Sequence, residues 1–539
     1  MIGVQHVSLS PMSPDCVRSA IERGAFNRFM AVNQVKAGVV LNYAVIGLNA
    51  LVGLLYTPYM LRMMGQSEYG LYSLAASVIA YLTIMDFGFG NAIVRYTAKF
   101  RAEGKTEEQY SMFGMFAILY ALIGLLTFVI GIVLCVNVEG IFDSAMTAEE
   151  ISRARIILAI LSFNLAISFP MGIFGSIVTA YERFVFQKTL NIARILLNTA
   201  VMICLLHFGY KAIAMVVVQT VFNVLTFVAN WFYSRKVIKI KLTFGKFQWG
   251  FLKEVAIYSF WIFLNAIMDQ LYWSTGQFVL GIFSGAIAVA VFSIAIHLKN
   301  MYYSFSIAIS SVFLPKVTSM IARNESSESV SDLFVRVGRV QYIVISYFVT
   351  MFVLFGRKFI EVWAGAGYEG AYVVTLLFFI STAIPLIQNL GMIILQARNQ
   401  LKYRSIMILV VSAVSVIVAI PMAKYYGING LGWTIATAVV FGHGVLLNIY
   451  YHRYVGLNIL KFWREILKMS FVPMALIGIG LVGFDWLGIS IDTISNLIIS
   501  FISFSLVYVV AFYTLSMNDY ERALIMTPIQ NVWRRVRGK

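Results

Sequence analysis

The chain has 539 residues, of which 60% are hydrophobic and 12% charged. Soluble domains are about 45–50% apolar and about a quarter charged, so a soluble fold is excluded and an all-α polytopic membrane protein is implied. A net charge of +17 would suit a nucleic-acid partner, but the placement of the basic residues along the chain argues against one.

Residues 1–35 carry Pro11, Pro14, Arg18, Arg23 and Arg28 and lack the apolar core of a signal peptide, so they read as a cytoplasmic tail. Met30 offers an alternative start to Met1. A bilayer core about 30 Å thick takes about 20 apolar residues per helix. On that measure fourteen spans follow, near 37–61, 69–93, 112–138, 153–179, 188–208, 212–234, 254–281, 287–314, 338–362, 370–397, 404–423, 429–452, 465–484 and 489–515. Lys and Arg crowd into alternate connections. The odd-numbered loops hold only Arg62, Arg153, Arg155, Lys211, Arg357, Lys358 and Lys424. The positive-inside rule then places both termini and the even-numbered loops in the cytoplasm.

An internal repeat organises the spans. Tyr72-Ser73-Leu74-Ala75 aligns with Phe292-Ser293-Ile294-Ala295 and brings Gly65 onto Gly285. Pro170 answers Pro385, Lys188 answers Arg404, Gly209 answers Gly427 and Asn230 answers Asn448, at offsets of about 215–220 residues. The N-lobe therefore covers 36–234 and the C-lobe 254–453, each with six spans, and an even number per copy implies a pseudo-twofold axis along the membrane normal. Segment 235–253 is a basic, aromatic-rich linker, read either as lying on anionic lipid or as an ordinary positive-inside loop. Residues 454–515 add spans 13 and 14, and 516–539 form a basic cytoplasmic tail.

Charged residues inside spans cost roughly 3 kcal/mol each on insertion scales, so they face a cavity or a partner. Asp269 lies about 14 residues before the turn near Phe283 and Lys299 about 15 after it, which places both at one depth. They are candidates for a structural pair or for work on an ion or an anionic substrate. Asp86 sits in a Phe-Gly-Phe-Gly setting, either locking helices together, with Arg95 or Arg194 as partner, or coupling an ion. Arg194 and Lys299 inside spans, with Arg95 at the inner mouth, are the candidate substrate-binding cations. Span amides such as Asn42, Asn223, Asn265, Gln388 and Asn389 serve as helix glue or as partners for sugar hydroxyls. Cys16, Cys135, Cys204, His207, His297 and His443 form no metal-binding spacing.

The first-lobe stretch YTPYMLRMMGQSEYGLYSLAASVIAYLTIMDFGFGNAIVRY and the second-lobe VLGIFSGAIAVAVFSIA, set within fourteen spans, resemble the Wzx-type polysaccharide flippases. Those belong to the multidrug/oligosaccharidyl-lipid/polysaccharide exporter superfamily, and the resemblance runs from about Val35 to Leu515. It implies transfer of an undecaprenyl-diphosphate-linked oligosaccharide, an O-antigen, capsule or exopolysaccharide repeat unit, across a bacterial inner membrane by alternating access. The implied partners are that lipid-linked substrate, membrane lipids and glycan polymerase machinery. No Gly-x-x-x-x-Gly-Lys-Ser/Thr loop, Gly-x-Ser-x-Gly elbow or His-Glu-x-x-His helix is present, so neither a cofactor nor an enzymatic role is expected. Two rivals remain, a drug or cation exporter of the same fold and a membrane-embedded glycan polymerase or ligase. The short connections argue against the second, because a soluble catalytic domain needs about 50 residues or more.

Overall fold

The computed structural model describes residues 14–245, 249–398, 400–486 and 494–536. Among these the chain forms helices joined by short connections, with no strand. The α-helices are α1 (Pro14–Met64), α2 (Gln66–Leu82), α3 (Phe89–Ala102), α4 (Thr106–Phe142), α5 (Ala148–Ala180), α6 (Phe184–His207), α7 (Ala212–Tyr233), α8 (Trp249–Trp273), α9 (Thr275–Ser311), α10 (Leu314–Ala322), α11 (Ser327–Ala364), α12 (Ala371–Ile387), α13 (Asn389–Ala397), α14 (Leu401–Val439), α15 (Leu447–Tyr450), α16 (Ile459–Trp486), α17 (Ile494–Leu515) and α18 (Asp519–Val536).

Twelve stretches among the described residues are long and apolar enough to cross a bilayer, where the sequence leads to fourteen. The difference lies in Phe263–Ser311 and Leu401–Val455, whose 49 and 55 residues exceed the length of one crossing. Each contains a glycine outside helical geometry, Gly285 (φ 77°, ψ −177°) and Gly427 (φ 57°, ψ −137°). Each glycine divides its stretch into two helical segments.

The repeat is visible in the backbone. Gly65 (φ 80°, ψ 168°) has the same conformation as Gly285, one that only glycine adopts readily because a Cβ would collide with the neighbouring peptide. Gly209 (φ 84°) shares positive φ with Gly427. The π-helical turns Ser234–Ile238 and Tyr451–Val455 end in the left-handed residues Lys239 and Gly456. Three chain reversals or terminations thus recur at corresponding positions of the two halves.

The two halves meet along α2 and α9. A methyl group on Gly70 would strike the carbonyl oxygen of Ala286, so the backbones touch there and only glycine permits it. The same end is tied across the halves by Arg62 Nη2 donating to the Val362 carbonyl at 2.5 Å and by Trp363 Nε1 donating to the Leu54 carbonyl at 2.8 Å, while Arg153 holds the buried Glu68 within the N-half. Helices α16 and α17 pack on α11, where Tyr342 donates to Ser470 at 2.7 Å and Tyr508 donates to the Ile343 carbonyl at 3.0 Å.

Three segments differ from the sequence reading. From Pro14 the expected N-terminal tail is an extension of α1, while residues 1–13 lie outside the described residues. The linker is anchored in the N-half: Ile240 is buried among α3 and α4 residues, and Thr243 N–H donates to the Tyr110 carbonyl at 3.2 Å. The C-terminal tail forms α18, which docks through Glu521 on the buried Arg339 of α11 at 2.6 Å, with Glu465 of α16 on the same guanidinium at 3.0 Å. In the linker and the C-terminal segment the cause is an apolar or oppositely charged residue inside a stretch whose net composition is basic. The two aligned prolines also part company. Pro170 sits within an uninterrupted α5, whereas the chain breaks at Gln388, shortly after Pro385.

Candidate functional site

In the N-half the break lies between α2 and α3. A 3₁₀ turn, Thr83–Asp86, is followed by Phe87 (φ 51°) and Gly88 (φ 75°), both left-handed, before α3 begins. This geometry turns the Asp86 carboxylate onto the first turn of α3. It accepts from the Tyr120 hydroxyl at 2.5 Å, and the backbone N–H groups of Gly88 and Gly90 are the next groups to act on it. The carboxylate therefore sits beside the first turn of α3, at the favourable end of its dipole. Neither Arg95 nor Arg194 is its partner. Arg95 lies one turn along α3, with its guanidinium carbon 5.9 Å from the Tyr96 ring centroid.

Arg194 on α6 is half-buried and held by amides alone. It donates to Asn223 of α7 at 2.9 Å and to Asn191 at 3.2 Å. Among the described residues no carboxylate lies within ion-pair distance of it. Lys188, nearly two turns earlier, donates to Asn42 of α1 at 2.7 Å.

The C-half mirrors that last arrangement and adds a cavity. Arg404 on α14, the repeat partner of Lys188, donates to Asn265 of α8 at 3.1 Å. Both residues line a cavity of ≈250 Å³ formed by α8, α9, the Gln388 break, α14 and the π-helical turn Val440–Leu446. Broken helix geometry at membrane depth is tolerated where it faces such a cavity. Its wall also includes Asp269, Tyr272, Trp273, Tyr303, Gln388, Asn389, His443 and Tyr451. Asp269 is exposed to the cavity, and Arg404 and Lys299 are the cations that act on it. It makes no hydrogen bond or ion pair within the protein among the described residues.

Asp269 and Lys299 are thus brought to one place, as their equal depth implied, but not into contact as an ion pair. Lys299 is 4% exposed, and its ammonium sits 3.5 Å from the Trp273 ring centroid and 5.0 Å from that of Tyr303. The two rings stand between the ammonium and the cavity, so the cation that lines it is Arg404. Sequence reasoning noted Arg404 only as a repeat marker and set His443 aside as a lone histidine. The available signal was the pairing of Lys188 and Arg404 with an asparagine at matching positions of the first helix in each half. Among the described residues no group of three or more His, Cys, Asp or Glu is placed to hold a metal.

A helical bundle with two broken spans, intramembrane cations and a cavity that carries both polar and aromatic side chains has the fold of known membrane flippases and exporters. Over 90% of this chain and 99% of the other, it superposes on "Lipid II flippase MurJ, inward closed conformation", with a TM-score of 0.69 and 16% identity. A multidrug resistance MATE family transporter of the MOP superfamily, in its inward-facing conformation, matches with a TM-score of 0.57 and 16% identity, covering 77% of this chain and 99% of the other. The chain belongs to the polysaccharide biosynthesis protein family, whose pattern it matches over residues 35–322. It is also 20% identical over 481 residues to the uncharacterized membrane protein EpsK of Bacillus subtilis (strain 168), spanning 87% of this chain and 93% of EpsK.

Proposed function

We propose that the protein is a flippase that moves an undecaprenyl-diphosphate-linked oligosaccharide, the repeat unit of an O-antigen, capsule or exopolysaccharide, across the bacterial inner membrane by rocking its two halves. Both termini face the cytoplasm in this reading, in keeping with the charge alternation along the chain. Family membership and the likeness in fold to a lipid II flippase support it. The observation that carries it is Arg194, a guanidinium within a membrane helix held by two amides and no carboxylate. A cation left uncompensated at membrane depth is costly, and an anionic headgroup supplies the compensation. The planar fork of arginine suits a diphosphate, which it can engage with two parallel hydrogen bonds. Arg95 at the mouth attracts the same headgroup, and Lys299 contributes positive field from behind Trp273 and Tyr303. Asp86 sits beside the first turn of α3.

One observation favours a second reading, export of cationic drugs: Asp269 faces a cavity rich in tyrosine and tryptophan. Deletion of the chromosomal copy separates the two. The flippase reading expects the lipid-linked glycan to accumulate in the inner leaflet, measured by its inaccessibility to an externally added glycosidase in spheroplasts. Unchanged glycan export, together with hypersensitivity to lipophilic cations, would establish the exporter instead.

A further inference from the structure

Three polar atoms in the C-half are buried without a hydrogen-bond partner and belong to residues that line the same cavity: Tyr272 Oη, Gln388 Oε1 and Arg404 Nε. Tyr272 is 4% exposed and Gln388 2%, so bulk water does not satisfy them. Leaving one such group unmade costs about 1–3 kcal/mol, and three of them on the residues around one space point to a ligand that is itself rich in donors and acceptors. The set alternates in kind. Arg404 Nε donates, Gln388 Oε1 accepts, and the tyrosine hydroxyl can do either. Asp269 adds a charged acceptor beside them.

The cavity also carries apolar faces. Trp273, Tyr303 and Tyr451 contribute aromatic rings, and Met268, Leu386 and Ile408 close the remainder. A molecule with hydroxyls around its rim and C–H bonds on its faces meets both demands, which is the description of a pyranose. The volume of ≈250 Å³ equals roughly eight waters at about 30 Å³ each. It falls below the roughly 300–1,000 Å³ of pockets for drug-sized ligands. It therefore admits one ring rather than a chain of them. Charge narrows the choice further. In the wall itself Asp269 and Arg404 oppose one another, Lys299 lying behind Trp273 and Tyr303, so the lining offers no unmatched partner to a ring bearing its own net charge.

We infer that this C-half cavity recognises a single uncharged sugar ring of the cargo, so that it reads glycan identity while the N-half cations hold the diphosphate. This rests on the flippase reading and assigns specificity to residues outside the cationic set. Tyr272, Gln388 and Arg404 are the reading groups, and Trp273 supplies a stacking face.

The test uses the full chain in lipid nanodiscs and saturation-transfer NMR with glucose, galactose, N-acetylglucosamine, glucuronate and glucosamine as probes. At least one of the three uncharged sugars is expected to receive saturation at its ring C–H protons, with the charged pair at background. A variant combining Tyr272→Phe and Gln388→Ala keeps the aromatic wall while removing two polar groups, and should weaken that signal at least tenfold. In cells the same variant should lower glycan export at least fivefold at equal protein level, whereas Gln388→Glu should not restore it. No transfer to any of the five sugars, or transfer indifferent to the double variant, overturns the sugar pocket. Full export by the double variant in cells where Arg194→Ala fails would overturn it too while leaving the flippase reading standing. Normal export in the deletion strain defeats the flippase reading itself, whatever the probes show.

Discussion

At the residue scale the question is what holds a cation inside the bilayer, and this chain answers it in three ways. Arg194 is held by asparagine amides, Arg404 by an asparagine beside an unpaired carboxylate, and Lys299 by aromatic faces. Amides compensate dipole to charge and leave the net charge in place, so Arg194 keeps its attraction for an anion. Arg194→Lys retains the charge but loses the fork, and glycan export should fall by a few-fold; Arg194→Ala should fall by more than tenfold. Complementation normalised to protein level checks this, and equal export by both variants would remove the headgroup role. A desolvated cation over tryptophan gains about 2 kcal/mol, which must be set against several kcal/mol for taking an ammonium out of water. Lys299→Met fills similar volume and removes both effects, so the folded protein should be at least as heat-stable as the parent in a detergent melt. A drop of several degrees would mean that Asp269 depends on Lys299 for its tolerance. The equal depth of these two residues was legible because helical rise is fixed. Their facing was not, since rotation about each helix axis is set by packing, and Trp273 and Tyr303 occupy the space an ion pair would need.

At the element scale the decisive residues are the glycines at helix junctions. Gly65 and Gly285 adopt the same backbone conformation, but their surroundings differ. Nothing lies within 4 Å of a Cβ built on Gly65, whereas one on Gly285 would come within 2.5 Å of the Ala145 carbonyl oxygen. Gly65→Ala should therefore cost only backbone strain, about 1–3 kcal/mol, and Gly285→Ala that strain plus a steric clash. Thermal melts of the two variants should rank Gly285→Ala as the weaker protein, and the reverse order would mean that the α4–α5 connection yields freely. These junctions were legible because a repeat shows through a glycine needed twice for one reason. The break at Gln388 was not: Pro385 announced a disturbance, yet α5 absorbs Pro170 without interruption. The helical fate of the C-terminal segment was hidden likewise, since its basic composition masks Glu521, the residue that reaches the buried Arg339.

At the scale of the whole molecule, the contacts between halves gather at the end where α1 gives way to α2. Gly70 abuts Ala286, Arg62 reaches the Val362 carbonyl and Trp363 the Leu54 carbonyl. In the orientation proposed from the charge rule this end faces outward, and the conformation described here is then the one sealed on the outside. A two-state transporter must open that seal, and the equilibrium between its states is set by contacts present in only one of them. Gly70 is such a contact, because a side chain there cannot coexist with the Ala286 backbone. Gly70→Leu should then penalise the outside-closed state selectively and raise the population of the open one. The reporter is Ser73→Cys, a position on α2 that is 6% exposed and becomes reachable only when the seal parts. In a background with Cys16, Cys135 and Cys204 replaced by alanine, a membrane-impermeant maleimide added outside should label it several-fold faster with Gly70→Leu than without. Labelling that is equally slow in both would mean α2 and α9 stay together through the cycle, and the rocking mechanism would fail. Labelling that is fast only from the cytoplasmic side of inverted vesicles would reverse the assignment of inside and outside, and with it the direction in which the cargo is carried.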